Sequence, residues 1–124
     1  VRAMRVGRCD EARRDFARAS KGPLELPSVA LTAWCLLAEG SADQALETLD
    51  RLSDERVGRF RDYHAALIAE ARGYTYEARK RLRGLYQADP RVLRTVDAWG
   101  RFLARTGQYD QAKQVFETFD SQFP

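Results

Sequence analysis

A glycine recurs through this chain at an almost constant interval of 33 or 34 residues, and no other feature restricts the fold as strongly. Each glycine is followed by an alanine five residues later, by leucine or phenylalanine four residues after that, and by another apolar residue after three more. Four positions that recur in phase four times indicate four copies of one structural unit. The sets are Gly7, Ala12, Phe16 and Ala19; Gly40, Ala45, Leu49 and Leu52; Gly73, Ala78, Leu82 and Leu85; and Gly107, Ala112, Phe116 and Phe119.

The spacing within each unit predicts a helical hairpin. Glycine tolerates the backbone conformation that a tight turn between two helices requires. The alanine lets the second helix approach the first closely, and the larger residues one and two turns later continue its buried stripe. The sequence has no sustained period-two alternation and few β-branched residues, so we expect no strands. It therefore predicts an all-α protein.

The predicted organisation is one domain over residues 1–124. We expect a partial helix that ends near Val6, a second helix over about residues 10–20, and then three complete hairpins. The connection 21–27 is the one irregular loop, and Pro27 is expected at or before the first turn of the next helix. The units are residues 1–22 (partial), 26–54, 55–90 and 91–124, and the hairpins pair helices 28–39 with 42–52, 55–72 with 75–87, and 91–106 with 109–122.

The last unit resembles the tetratricopeptide repeat (TPR) family of helical repeats. Trp99-Gly100 stands where that family usually has Leu-Gly, and further signature positions match at Gly107, Tyr109, Ala112, Phe116 and Pro124. The resemblance implies a right-handed α-solenoid of about three and a half antiparallel helix hairpins that acts as a protein-protein interaction scaffold. Residues 60–69 and 86–90 are also similar to alphaproteobacterial TPR proteins of unassigned function. Those relatives are long arrays, so we expect this chain to be an internal or C-terminal portion of one.

The resemblance also implies a ligand groove on the concave face, lined by the first helix of each hairpin. In register, this face grades from apolar through aromatic to basic, which suits an extended peptide with apolar anchors and a carboxylate. Two alternatives stay open: Leu31 and Trp34 as packing residues, and Arg101 paired with Asp97 along its helix. The expected groove residues are Leu31, Trp34, Phe60, Tyr63, His64, Leu67, Arg94, Arg101 and Arg105.

Two departures from the family pattern affect these expectations. Asp62 stands where the family normally buries a large apolar side chain, and three alanines follow it within seven residues, which predicts tight packing of that helix. Ala30 and Trp34 occupy positions at which the family's carboxylate clamp for chaperone tails has Lys and Asn. We therefore do not expect chaperone-tail binding.

The alternative function is self-association through uncapped helical ends. A helical array needs polar caps, and an array that stops after its last helix leaves the apolar residues of that helix uncovered. Further repeats of a longer chain, another protein, or the matching end of a second copy in a two-fold homodimer would cover such a face. The expected self-association residues are Val115, Phe116, Phe119 and Phe123.

The sequence offers little for catalysis. His64 is the single histidine, and no Ser or Cys lies at a helical spacing that would pair it with a nucleophile. Cys9 and Cys35 lack metal-ligand spacing, so we expect buried thiols. No phosphate-binding glycine loop is present in the sequence. We therefore expect no enzyme activity, no metal and no cofactor.

The charge and hydropathy exclude other classes of function. The net charge of +3 comes mainly from arginine, and beside 18 acidic residues most of these guanidinium groups are expected on solvated faces, so we do not expect nucleic-acid binding. The longest apolar run, over residues 29–38, is too short for a membrane span of roughly 20 residues. The first residues lack the apolar stretch of a secretory signal. We expect a soluble protein and favour the cytoplasm.

Overall fold

The computed structural model of the chain describes residues 9–11, 14 and 25–123. Regular structure in these residues is entirely helical, which confirms the predicted all-α class. Residues 9–11 and 14 are helical, and none of the helices in the described ranges is long and apolar enough to cross a membrane. The later elements are α1 (Glu25–Ala38), α2 (Ala42–Asp50), a 3-10 helix (Glu55–Val57), α3 (Gly58–Arg72), α4 (Thr75–Ala88), α5 (Leu93–Arg105) and α6 (Tyr109–Gln122).

Three of the repeated glycines form the same turn. Gly40, Gly73 and Gly107 have φ angles of 87°, 91° and 84°, in the left-handed region that glycine adopts without steric cost. The residue after each glycine donates its backbone N–H to the carbonyl five residues earlier, at 2.8 Å in all three turns. These bonds satisfy carbonyl groups that the end of a helix leaves without partners. The glycine spacing therefore predicted the turns correctly, and Gly7 lies outside the described residues.

The helices pack in pairs, and the pairs contact one another in chain order. α1 packs on α2, α3 on α4 and α5 on α6, and connections of two or three residues make the helices of each pair antiparallel neighbours. Between pairs, α3 contacts both α1 and α2, and α5 contacts α4. The second helix of the first two pairs is thus covered by the first helix of the next pair.

Helix α3 contributes to two apolar clusters at once. Ala65 and Ile68 pack with residues of α1 and α2, whereas Ala66 and Ala69 pack with residues of α4, α5 and α6. All four are fully buried. Small side chains on both sides of α3 thus face the neighbouring helices.

The start of α1 differs from the prediction. This helix begins at Glu25 rather than at residue 28, so residues 25–27 of the predicted loop are helical. Pro27 lies in the first turn, as expected, where its missing backbone N–H would have no helical partner. The predicted helix that ends near Val6 lies outside the described residues, and so does most of the helix predicted over residues 10–20.

Two aspartates shift the starts of the later hairpins. The Asp54 carboxylate accepts the backbone N–H of Arg56 at 2.9 Å, which caps a separate 3-10 helix, and α3 begins only at Gly58 instead of residue 55. The Asp89 carboxylate likewise accepts the backbone N–H of Arg91 at 3.0 Å. Because this local turn competes with helix, α5 begins at Leu93 rather than at residue 91.

Candidate functional site

An aromatic cluster joins the first two hairpins. On α3, Phe60 lies one turn before the adjacent residues Tyr63 and His64, and its ring is close to that of His64. Trp34 of α1 contacts the same imidazole. The ring centroid of His64 is 4.6 Å from that of Phe60, 5.5 Å from that of Tyr63 and 6.4 Å from that of Trp34. Four of the nine predicted groove residues therefore form one continuous group.

The histidine at the centre of this cluster is held in one tautomer. The indole Nε1–H of Trp34 donates to Nδ1 of His64 at 3.0 Å, so Nδ1 acts as an acceptor and the imidazole proton is on Nε2. Burial lowers the pKa of His64 below its ordinary value of 6.5, and the positive charge of Arg94 lowers it further. The imidazole is therefore neutral at pH 7 and orients the surrounding rings.

A cleft of about 380 Å³ opens beside this cluster, between the N-terminal halves of α3 and α5. The guanidinium of Arg94 lies 5.4 Å from the centroid of the Tyr63 ring. No carboxylate in the described part of the chain lies within ion-pair distance of Arg94. The lining residues are Arg56, Arg59, Phe60, Tyr63, Val92, Arg94 and Thr95, and we call this site the aromatic cleft.

The other two predicted groove arginines are paired with acidic residues. Arg101 donates to the Asp97 carboxylate at 2.9 Å along α5, which confirms the alternative of a pair within the helix. Arg105 makes two hydrogen bonds to Glu70 of α3, at 2.7 and 2.9 Å, and so joins the last two hairpins. Both guanidinium groups already have a carboxylate counterion, whereas Arg94 has none among the described residues, so Arg94 is better placed to bind a ligand carboxylate.

The two leucines at the apolar end of the predicted groove lie in different environments. Leu31 is 43% exposed on α1, whereas its neighbour Ala30 is buried and cannot contact a ligand. Leu67 is half-buried and packs against the core cluster of the last two hairpins. Neither leucine lines the aromatic cleft.

The predicted self-association face is smaller than expected. Val115 is buried at 8% exposure because it faces the core cluster of α5 and α4, so it is not part of an exposed surface. Phe116 is 37% exposed, Phe123 is 50% exposed, and Phe119 is half-buried with its ring centroid 4.8 Å from that of Phe123. We call Phe116 and Phe119 of α6, together with Phe123 directly after this helix, the phenylalanine face.

The sequence did not reveal an ion-pair network around Arg81 of α4. Its side chain is only 16% exposed and donates to Glu77 at 2.7 Å, to Asp62 at 2.9 Å and to Asp50 at 3.1 Å. Burial alone would lower the pKa of Arg81, but hydrogen bonds and charges from Glu77 and Asp50 outweigh it and raise that pKa. The network explains why Asp62 stands in a position that was expected to be apolar. Only the i, i+4 spacing of Glu77 and Arg81 could have signalled it.

Comparison with known protein families, curated proteins and solved structures finds no match for this chain. Within the described residues, no group of three or more His, Cys, Asp or Glu side chains could hold a metal ion. Cys9 and Cys35 are both buried and pack together. The function must therefore be inferred from the aromatic cleft and the exposed faces of the helices.

Proposed function

We propose that this chain is a TPR-like helical array that binds a peptide segment of another protein in the aromatic cleft. The observation that carries this proposal is the placement of Arg94, without a carboxylate partner among the described residues, over the ring of Tyr63 at the edge of the cleft. The chain-order packing of hairpins and the three equivalent glycine turns support a TPR-like architecture.

The chemistry of the cleft suits a peptide that has both an apolar side chain and a carboxylate. Phe60 and Tyr63 offer partly buried rings, and aromatic residues with arginine are the side chains that most often dominate binding energy at protein interfaces. The guanidinium can form a bidentate pair with a carboxylate. His64 and Trp34 hold the rings in place, which reduces the entropy that binding would cost.

A peptide-display selection on the immobilised chain tests this function. We expect selected peptides to share an apolar anchor and an acidic side chain or free C-terminus. Arg94→Gln should weaken their binding, measured by fluorescence anisotropy, about tenfold or more, because a hydrogen bond to a charged group contributes about 1.5–3 kcal/mol. Tyr63→Ala should weaken it by a similar factor.

The matched control is Arg51→Gln, which removes the same charge from an exposed arginine outside the aromatic cleft. It should leave the affinity within about twofold. Selected peptides that bind the Arg94 and Tyr63 variants as well as the wild type would exclude the aromatic cleft as the binding site. Binding that falls steeply with salt and includes nucleic acid would instead indicate a phosphate-binding surface.

Self-association is a second candidate function, and the exposure of the phenylalanine face favours it. Leu49 and Leu82, the residues in phase with Phe116, are fully buried, and α3 and α5 pack on the helices that carry them. Phe116 is 37% exposed, so the corresponding side of α6 has surface that another helix could cover. The partner in this proposal is a second copy of the chain.

Light scattering over a concentration series tests self-association. Phe123→Glu should convert a dimer to a monomer, because it would bury a charge in the interface. Gln114→Glu adds the same charge to an exposed position of α6 outside the phenylalanine face and should leave the dimer intact. A wild-type chain that remains monomeric at all concentrations would exclude this function.

A further inference from the structure

A second cleft, of about 500 Å³, lies between α4 and α6 above the C-terminal half of α5. Its apolar residues include Trp99, Leu103 and Val115, and four glutamines line the rest together with two arginines. It shares no lining residue with the aromatic cleft. The polar lining consists of Arg79, Arg83, Gln87, Gln108, Gln111, Gln114 and Thr118, with Tyr86 beside them, and we call this site the glutamine cleft.

The glutamine cleft is positively charged, because its lining includes two arginines and no acidic residue. Arg79 and Arg83 are one turn apart on α4, and neither has a carboxylate within ion-pair distance in the described part of the chain. Arg81, between them in sequence, pairs with three acidic residues outside this cleft. The two guanidinium groups at the cleft therefore have no intramolecular counterion among these residues.

One of these arginines is held in position by neutral groups. Nη1 of Arg79 donates to the side-chain oxygen of Gln108 at 2.7 Å, and its guanidinium lies 5.1 Å from the centroid of the Phe102 ring. Phe102 is itself buried and stacks on Trp99. A guanidinium has five N–H donors, so the bond to Gln108 leaves others for a ligand. A partly buried arginine that is already oriented loses little entropy when an anion binds.

We propose that the glutamine cleft binds an acidic segment of a partner polypeptide. Arg79 and Arg83 would pair with aspartate or glutamate side chains of the segment. Side-chain amides both donate and accept hydrogen bonds, so the glutamines suit the backbone of an extended peptide. A volume of about 500 Å³ is within the usual range for ligand sites, and the largely buried indole of Trp99, which is 8% exposed, forms part of the apolar lining. The glutamine cleft and the aromatic cleft share no lining residue, so either proposal can be wrong while the other is correct.

The two tryptophans give separate NMR signals from different parts of the molecule, because Trp99 lines the glutamine cleft and Trp34 does not. The probe is the peptide acetyl-Ala-Glu-Leu-Glu-Ala-amide. The comparison ligands are the glutamine twin, which is the same peptide with both glutamates replaced by glutamine, and inorganic phosphate. We expect the glutamate peptide, at millimolar concentration, to shift the indole N–H signal of Trp99 and the side-chain amide signals of Gln111 and Gln114. The indole signal of Trp34 should move much less, because Trp34 belongs to the aromatic cluster.

Arg83→Gln provides the decisive variant, because the side chain is exposed and its loss should not affect folding. This variant should lower the affinity for the glutamate peptide at least about threefold. The double variant with Arg79→Gln should lower that affinity about tenfold. Lys80→Gln removes a charge from an exposed residue of the same helix outside this cleft and should change the affinity less than twofold.

Three results would overturn the proposal. The first is an unchanged Trp99 signal with the glutamate peptide. The second is equal binding of the glutamine twin, which would show that the arginines do not contribute. The third is phosphate that produces the same shifts at the same concentration as the peptide, which would make the cleft a site for free anions rather than for a polypeptide.

Discussion

The contact between Gly100 and Phe116 predicts opposite effects for one chemical change at two sites. A β-carbon added at Gly100 of α5 would lie 2.6 and 2.8 Å from Cε2 and Cε1 of the Phe116 ring, with Cζ nearer still. Favourable carbon contacts begin at about 3.5 Å, so the ring would have to move by roughly 1 Å or leave its place. A β-carbon added at Gly84 of α4 would meet nothing within 4 Å.

The two substitutions should have opposite effects on the free energy of unfolding. Alanine is better than glycine in a helix by about 1 kcal/mol, so Gly84→Ala should stabilise the protein by about 0.5–1 kcal/mol. At Gly100 the same gain is offset by overpacking that costs about 1–3 kcal/mol. We therefore expect Gly100→Ala to be destabilising by as much as about 2 kcal/mol. Urea unfolding followed by circular dichroism at 222 nm measures both values.

A compensating substitution makes this prediction specific to the Phe116 ring. The in-phase residues of the third unit are Ala66 and Leu82, which belong to one core cluster, so an alanine with a leucine is an arrangement that this fold already uses. The double variant Gly100→Ala/Phe116→Leu should be more stable than the sum of the single effects by about 1–2 kcal/mol. If Gly100→Ala instead stabilises the protein as much as Gly84→Ala, the ring of Phe116 does not lie on Gly100.

Three further predictions concern Arg81, His64 and Gly73. Arg81→Met should lower the free energy of unfolding in urea by about 1–2 kcal/mol, because Glu77 and Asp50 lose their partner and Asp62 keeps only Arg61. Arg51→Met should change that free energy by less than about 0.5 kcal/mol. The pKa of His64 is lowered on folding, so its contribution to stability is complete above pH 6.5 and is lost as the pH falls below that value. NMR titration should give a pKa below 6.5 that rises in Arg94→Gln, and a pKa at or above 6.5 would contradict the buried neutral imidazole. Gly73→Ala should cost about 1–2 kcal/mol of unfolding free energy although the site is open, because φ is 91° there, and no loss would show that the turn relaxes.

The parts of the fold that depend on neighbours in sequence could be predicted. Gly73 and Ala78 are five residues apart, and their roles follow from backbone freedom and side-chain size alone. The same is true of Pro27 in a first helical turn. The helix starts at Gly58 and Leu93 were missed because side chains of Asp54 and Asp89 form short local turns that compete with the helix.

The candidate site was predictable in part. The register of the TPR resemblance placed Phe60, Tyr63 and His64 on a common face, and these three rings cluster in the structure. The sequence did not predict which arginines would form ion pairs. Arg105 pairs with Glu70 on another hairpin, 35 residues away, whereas Arg94 has no carboxylate partner among the described residues. Such pairings depend on how whole helices pack rather than on any local pattern.

Exposure at the end of α6 was also only partly predictable. The sequence predicts that all four residues of the apolar stripe on the last helix are exposed. In the structure, Val115 turns towards α5 and is buried, whereas Phe116 rests at the edge against Gly100 and stays partly exposed. Periodicity defines a stripe about 100° wide, and it does not say which residue within the stripe lies at its boundary.

The most direct test of the proposed peptide-binding function is to locate a selected peptide by intermolecular nuclear Overhauser effects. We predict contacts from the peptide's apolar side chain to the ring protons of Phe60 and Tyr63, together with a shift of the Arg94 side-chain signals when the peptide binds. Contacts confined to the phenylalanine face or to the glutamine cleft, with Tyr63 and Arg94 unchanged, would contradict the proposal that the aromatic cleft is the binding site.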